Sequence, residues 1–283
     1  LAPLQEGILF HHLMQAQGDP YLLHSLYSFD SRARLDAFIG ALRIAIDRHD
    51  ILRTAMHWEG LAQPVQVVWR KAELTVEEVV LDAQGGDMAQ QLRARYDRQH
   101  YRMDVRLAPM MRLCVTHDAA SGRWLVLHLF HHLWGDHTSL DVLLHEIRAH
   151  VGGRGDQLPA PLPFRNFVAQ ARLGVSRQEH EAFFTRMLGD VDDVTAPYGL
   201  VDVQGDGSGI REARSDIDPV LAARLKARAR KLGVSSASLC HLAWARVLAC
   251  ICGRDDVVFG TVLFGRMQGG EGADRVLGMF INT

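Results

Sequence analysis

The grouping best suited to chemistry is the run Leu125-Val-Leu-His-Leu-Phe-His131-His132-Leu-Trp-Gly-Asp136-His137, in which an apolar stretch ends on two histidines and a carboxylate follows four residues after the second. Three uses are open to it. An imidazole there can do chemistry; His131, His132, Asp136 and His137 can be metal ligands; or the histidines are satisfied members of a packed core, an ordinary outcome in a chain with 15 His in 283 residues. Side chains alternate across an extended strand. Trp124, Val126, His128, Phe130 and His132 therefore share one side, and Leu125, Leu127, Leu129 and His131 the other. Both histidines serve one cleft only if the strand ends between them. His132, the last residue before a loop that bends at Gly135, is assigned the cleft, and His131 the packing behind it. Adjacent histidines on a strand diverge, and no helical His-x-x-x-His pair aims at the same point, so no metal is expected.

The elements that must hold this loop can be read from periodicity. Leu4 to Met14 is an apolar helix, and His24 to Asp30 a strand with Leu26 and Ser28 on one face, Tyr27 and Phe29 on the other. Arg34 to His49 is an amphipathic helix whose stripe is Leu35, Phe38, Ile39, Leu42 and Ile46. Leu52 to Trp58 and Val65 to Trp69 form a hairpin around Gly60, and Met88 to Tyr101 returns to helix. Met110 to His117 and Arg123 to Phe130 are strands joined at Ser121-Gly122. A helix runs from Thr138 or Ser139, its candidate N-caps, to His150. Gly152 to Pro163, with glycines and three prolines, marks a joint. Beyond it, Phe164 to Leu173, Gln178 to Leu188, Pro219 to Leu232 and Ser236 to Cys252 read as helices. Asp190 to Gly209 is irregular, and Ile210 to Ile217 and Val257 to Phe264 read as strands. Helices and strands mixed on both sides of the joint predict two α/β halves.

Hydrophobic content of 48% with 23% charged residues is that of a soluble globular protein. A formal charge of −2 and a pI near 6.8 leave no basic footprint for nucleic acid. No apolar run is long enough to span a membrane. Cys114, Cys240, Cys250 and Cys252 show no paired metal spacing and read as structural thiols in a reducing, cytoplasmic compartment. The chain opens at Leu1 with neither Met nor signal peptide and closes on an apolar segment, which suggests a piece of a longer polypeptide.

Six segments in order resemble the motifs of condensation domains of nonribosomal peptide synthetases. They are Leu1-Ala-Pro-Leu-Gln-Glu-Gly-Ile-Leu-Phe-His11; Arg48-His-Asp-Ile-Leu-Arg-Thr54; Tyr101-Arg-Met-Asp104 with Ala108-Pro109-Met-Met-Arg-Leu; the run His131 to Asp136, which resembles the active-site pattern His-His-x-x-x-Asp-Gly; Asp256 to Arg266; and Gly278-Met-Phe-Ile-Asn282-Thr283. One departure is His137 where the pattern has Gly. In addition, His11-His12-Leu-Met-Gln-Ala-Gln-Gly18-Asp19 resembles the N-terminal signature His-His-(Ile/Leu)-x-x-x-x-Gly-Asp of the dual condensation/epimerisation subclass. Read as plain structure, the same residues are a helix end with Gly18 as C-terminal cap and histidines near the negative terminus.

The resemblance implies an α/β fold of two chloramphenicol-acetyltransferase-like halves in a V-shaped pseudo-dimer. Residues 1–158 would form the N-terminal half and 159–283 a truncated C-terminal half. It implies catalysis by the motif residues His132, His131 and Asp136. His132 would act as general base or positioning group, and Asp136 would form a structural ion pair with Arg48. Arg53 and His137 would support the region, and Asn282 would line the tunnel from the other half. It also implies substrates carried as thioesters on the 4'-phosphopantetheine arms of upstream donor and downstream acceptor peptidyl carrier domains, beside an adenylation domain, with no cofactor bound directly. The rival readings are a condensation domain without epimerase activity, a coenzyme A-dependent acyltransferase of the same fold, and a non-catalytic recruitment domain.

Overall fold

The strand that delivers the two histidines, β6 (Arg123–His131), is paired on both edges. It runs antiparallel to β1 (Leu22–Phe29) on one side and to β5 (Met111–Asp118) on the other, and β4 (Thr75–Glu78) extends the sheet parallel to β5. Residues 125–131 of β6 are all buried. A strand covered on both faces is expected to be a continuous apolar run, which is how its leucines and valine read. Strands and helices are numbered in chain order in this computed structural model, which describes residues 1–82, 84–201, 211–268 and 272–283.

The helical layer is built by α2 (Arg32–Arg48) and α4 (His137–Val151), which pack together. Ser31 caps α2 by accepting the Arg34 N–H. The stripe Leu35, Phe38, Ile39, Leu42 and Ile46 is buried in the main core, as its spacing predicts. Burial of each such side chain contributes about 1.5–3 kcal/mol. Helix α1 (Pro3–Met14) reaches the histidine loop through Gln5, which in turn accepts from Gln66 in the hairpin of β2 (Thr54–His57) with β3 (Val65–Val68).

Two compact units divide the described residues: Leu1–Ser176 with Val262–Thr283, and Arg177–Thr261. The Pro-rich joint thus lies inside the first unit, away from the change at 176/177, and these bounds differ from the 158/159 partition. Arg48 donates to the Pro159 carbonyl, and Phe164 is buried, with its ring 5.5 Å from that of Phe280. These contacts hold the proline segment and the last residues to the first core. The first unit also contains α3 (Met88–Arg95), α5 (Arg165–Leu173) and the two-residue strands β7 (Leu263–Phe264) and β8 (Ile281–Asn282). The second unit carries α6 (Arg177–Leu188), α7 (Pro219–Leu232) and α8 (Ser236–Cys252). Asp218 and Ser235 cap the starts of α7 and α8, and Gly233 and Gly253 end them at φ 67°.

Several expectations need correction. Helix α3 stops at Arg95 rather than Tyr101, and only Leu263–Phe264 of the stretch 257–264 is strand. Residues 211–217 form no strand, while Ile210 and the part of the irregular stretch over 202–209 lie outside the described residues. Strand β4 was not expected at all. Cys240 and Cys250 are exposed rather than packed, Cys114 is buried, and all four cysteines are free. Among the described residues no single helix is long and apolar enough to cross a membrane.

The doubly covered β6 contains one polar misfit. His128 is buried between Tyr27 and Phe130, and neither ring nitrogen has a hydrogen-bond partner. Burial pushes its pKa from 6.5 down to about 4. The unfolded chain takes up this proton near pH 6.5 and the folded chain only near pH 4, so its contribution is intact above that window and lost as pH falls through it. The change is on the order of 3 kcal/mol. His128→Leu should therefore flatten the stability of the protein between pH 6.5 and 4, measured by denaturant unfolding at several pH values. An unchanged slope in the variant would refute the assignment.

Candidate active site

Strand β6 ends at His131 and α4 begins at His137, so four loop residues and a cap connect them. The cap is Asp136, which accepts the Ser139 N–H at 2.8 Å; Thr138 and Ser139, the expected caps, lie inside the helix. Gly135 is required by a close approach, since a Cβ there would sit 2.9 Å from the Ser139 Cβ. The turn brings the Gly135 carbonyl 2.9 Å from His132 Nδ1. A carbonyl only accepts, so Nδ1 carries the proton and Nε2 keeps its lone pair. The ring is half-buried. The arrangement can accept a proton at Nε2 from a group brought against it.

His131 points the other way and has no exposure. Its Nδ1 accepts the Leu133 N–H at 3.1 Å, which places its proton on Nε2, 3.0 Å from Asp19 Oδ2. The same carboxylate oxygen receives His12 Nδ1–H at 2.8 Å, and Oδ1 accepts the Tyr21 N–H at 3.0 Å. Burial raises the Asp19 pKa, but the hydrogen bonds from His12 and His131 outweigh it and hold the carboxyl well below its usual range. Burial lowers the His131 pKa, against the pull of Asp19, and keeps that ring neutral. Gln5, fully buried, donates to the Leu133 carbonyl at 2.8 Å. Both ends of residue 133 are thereby tied.

His12, Asp19 and His131 offer three ligand atoms within 4.8 Å of one another, so they are the group a metal would use among the described residues. A ligating imidazole donates its other ring N–H to a neighbour. His131 does the opposite, accepting at Nδ1, so its tautomer suits a hydrogen-bonded cluster. The set weighed and set aside from the sequence, His131, His132, Asp136 and His137, does not converge: the exposed His137 ring lies 3.5 Å from Asp141 on its own helix.

The partner of Asp136 is not Arg48. Arg266 Nη2 lies 2.9 Å from Asp136 Oδ1, and its other amino group donates to the carbonyls of Ala273 and Val276. Phe280 N–H donates to Asp136 Oδ2 at 3.2 Å, and the Arg266 guanidinium lies over the Phe280 ring at 4.3 Å. Arg48 instead meets Glu146 at 3.1 Å, beside His49 at 2.8 Å from the same oxygen. Nearly three turns of α4 separate Glu146 from the cap, and Arg48 sits at the far end of α2, so sequence order alone could not choose between the two carboxylates. Arg53 donates to the carbonyls of Ile46, Trp69 and Arg70, tying α2 to the end of β3. Asn282 is exposed on β8, in the same compact unit as His132. His11 is exposed, with Nδ1 2.7 Å from the Tyr21 hydroxyl.

Gly18 does not cap α1, whose C-cap is Gln15. It has φ 67°, and a Cβ would meet the Gln99 carbonyl oxygen at 2.6 Å, while Asp19 N–H donates to the Arg98 carbonyl at 2.7 Å. Sequence reasoning missed Gln5, Tyr21, Ser139 and Arg266 as members of this site. Gln5 and Arg266 stand inside the quoted motif segments, which was the available signal. A separate cleft of about 450 Å³, lined in part by Thr54, Gln66, Phe164 and Arg172, does not include the motif histidines.

The family model described as "Condensation domain" matches residues 1–283. The chain is 53% identical over 283 residues to malpibaldin synthetase of Mortierella alpina, covering all of this chain and 5% of that protein. It is 50% identical to malpinin synthetase of the same organism, covering all of this chain and 4% of that protein. It thus spans about one twentieth of the length of these relatives. A crystal structure of the first condensation domain of the calcium-dependent antibiotic synthetase, in complex with a substrate analogue, shares the fold. Its TM-score is 0.68 at 19% identity, covering all of this chain and 66% of that one. The mixed α/β architecture is therefore the chloramphenicol-acetyltransferase-like fold.

The exchanged partner of Asp136 yields a direct test. Arg266→Met leaves a buried carboxylate without its cation and should lower stability by about 3–5 kcal/mol. In double-mutant cycles with Asp136→Asn, the Arg266 variant should show strong coupling and Arg48→Met little. Equal coupling for both arginines would contradict the pairing.

Proposed function

This chain belongs to the condensation-domain family, and we propose that it forms a peptide bond between two carrier-bound thioesters, after inverting the donor α-carbon from L to D. The acceptor's α-amine attacks the donor thioester carbonyl; a C–N bond forms and the C–S bond breaks. The amine proton passes to His132 Nε2 and from there to the departing pantetheine sulfur. A free α-amine has a pKa of about 7.7–8.0, so a fair fraction is already nucleophilic near neutrality. Alignment by the site therefore matters as much as proton removal. The observation that carries this reading is the His132 Nδ1–H bond to the Gly135 carbonyl, which leaves Nε2 as the acceptor on a half-buried ring.

For epimerisation, the α-proton acidified by the thioester leaves to a base and returns on the opposite face. His132 is the first base in this proposal. Support for the dual reading comes from the His11, His12, Gly18 and Asp19 signature, whose His12 and Asp19 are packed directly onto His131. The donor and acceptor stand on 4'-phosphopantetheine arms of flanking peptidyl carrier domains, next to an adenylation domain of one cytoplasmic synthetase, and no cofactor is bound directly. In the same reading, residues 1–158 and 159–283 belong to the first and second acetyltransferase-like halves.

The deciding experiment supplies the full polypeptide with an L-aminoacyl donor carrier and an aminoacyl acceptor carrier in deuterated water. A peptide with deuterium at a D-configured donor α-carbon is the expected product. Unlabelled L-product would reduce the function to condensation alone, and turnover with free acyl-coenzyme A would favour the acyltransferase alternative. His132→Ala should lower the condensation rate by about 10²–10⁴-fold. An unchanged peptide yield in that variant would sink the catalytic role and leave a recruitment domain.

A further inference from the structure

The buried carboxylate of Asp19 reaches the candidate base by two separate routes. Through the His131 ring it favours one tautomer: Nδ1 accepts the Leu133 N–H, and Nε2, which then carries the proton, lies 3.0 Å from Asp19 Oδ2. Through Oδ1 it holds the Tyr21 N–H, and the carbonyl of that same residue accepts the His132 N–H at 2.9 Å. The two amides so governed, those of residues 132 and 133, flank the α-carbon of His132. The remaining contact on Oδ2 comes from His12, whose ring lies edge-on to His131 with centroids 5.2 Å apart. Asp19, His12 and His131 are all buried.

Resting on the function proposed above, we infer that Asp19 and His12 are positioning residues for His132, acting through the tautomer of His131 and the Tyr21 peptide. The chemistry of the chain requires an ionised acceptor at position 19. An amide there must turn its N–H₂ either toward both ring nitrogens at the Oδ2 position or toward the Tyr21 N–H at the Oδ1 position. In the first orientation relief comes if His131 moves its proton to Nδ1, where it meets the Leu133 N–H head-on and opens the turn; in the second the Tyr21 peptide turns away and its carbonyl leaves the His132 N–H. The Gly135 carbonyl then shifts and His132 loses its orientation. His12 contributes a donor that completes Oδ2 and holds the carboxylate in register.

The test is steady-state condensation by the full polypeptide with carrier-bound donor and acceptor, comparing Asp19→Asn, His12→Leu and His12→Gln, each checked for folding by thermal melting. Asp19→Asn and His12→Leu should lower kcat by about a hundred-fold, the scale of a misplaced catalytic group, with KM for the acceptor unchanged. His12→Gln keeps an N–H for Asp19 and should recover most of the rate. Wild-type kcat in Asp19→Asn, or equal losses in the two His12 variants, would overturn the inference. A ¹⁵N spectrum of His131 in the wild-type protein decides it independently of whether the variants fold. The Nε2–H form is expected, and the Nδ1–H form refutes it. A wild-type protein that makes no peptide counts against the proposed function, while the tautomer still judges this inference.

Discussion

The arrangement turns on one hydrogen bond, from His132 Nδ1 to the carbonyl of Gly135 three residues later. It leaves Nε2 with its lone pair, and it survives only while the turn between β6 and α4 keeps its shape. A four-residue turn has no such rigidity by itself. The surrounding structure supplies it, from the end of β6 and from two distant parts of the chain. Gln5 in α1 takes the Leu133 carbonyl, His131 takes the Leu133 N–H, and Asp136 at the end of the turn is gripped by Arg266 and Phe280 N–H. None of these contacts touches the ring of His132, so the site's geometry is carried by backbone groups rather than by a second side chain on the imidazole.

The two buried carboxylates beside the turn, Asp136 and Asp19, are satisfied in different ways. Asp136 faces a guanidinium, a cap N–H, a hydroxyl and a further amide, so its charge is compensated on every side. Asp19 faces two imidazoles and an amide, with no guanidinium on it. A carboxylate in that setting is held by hydrogen-bond donors whose protons can be relocated, which makes its environment sensitive to tautomer in a way that the Arg266 pair is not. Buried pairs of either kind add little net stability over apolar residues of the same shape, yet losing one partner is costly. Their presence around one turn fits a demand for a fixed geometry.

Periodicity made the frame legible. The stripe on α2, the hairpin β2–β3, the buried run of β6 and the bounds of α7 and α8 all follow from patterns local to the chain. The short strand β4 was missed because four residues, Thr75-Val-Glu-Glu78, carry too little alternation to stand out, and its parallel partner lies far along the chain. The region after residue 253 failed for a related reason. β-branched residues at 257–262 have strand propensity, but a strand needs a partner, and pairing within the described residues begins at Leu263. At the site, the different burial of His131 and His132 was legible because it depends only on where β6 stops. The partner of Asp136 was not, because a carboxylate at a helix start is open to any guanidinium the fold delivers. Arg48 and Arg266 differ in sequence distance, not in chemistry.

The same reasoning separates what a site for amide formation must supply from what it need not. An amine with a pKa near neutrality requires little help in losing its proton, on the order of 1–2 kcal/mol at pH 7. Holding two tethered reactants in contact offers several times more, about 7–11 kcal/mol in well-oriented systems. A site shaped by that imbalance should concentrate its buried polar groups on orienting the turn, leaving the base itself in an ordinary environment. Around His132 the buried contacts fall on residues 131, 133 and 136 and on the amide of 132, while the ring has one carbonyl partner. Inverting a donor α-carbon is different, since that proton is far less acidic and the base must approach it at a defined angle. In the function proposed here, the contacts of Asp19 and His12 beside the turn fall where the harder of the two reactions would need them.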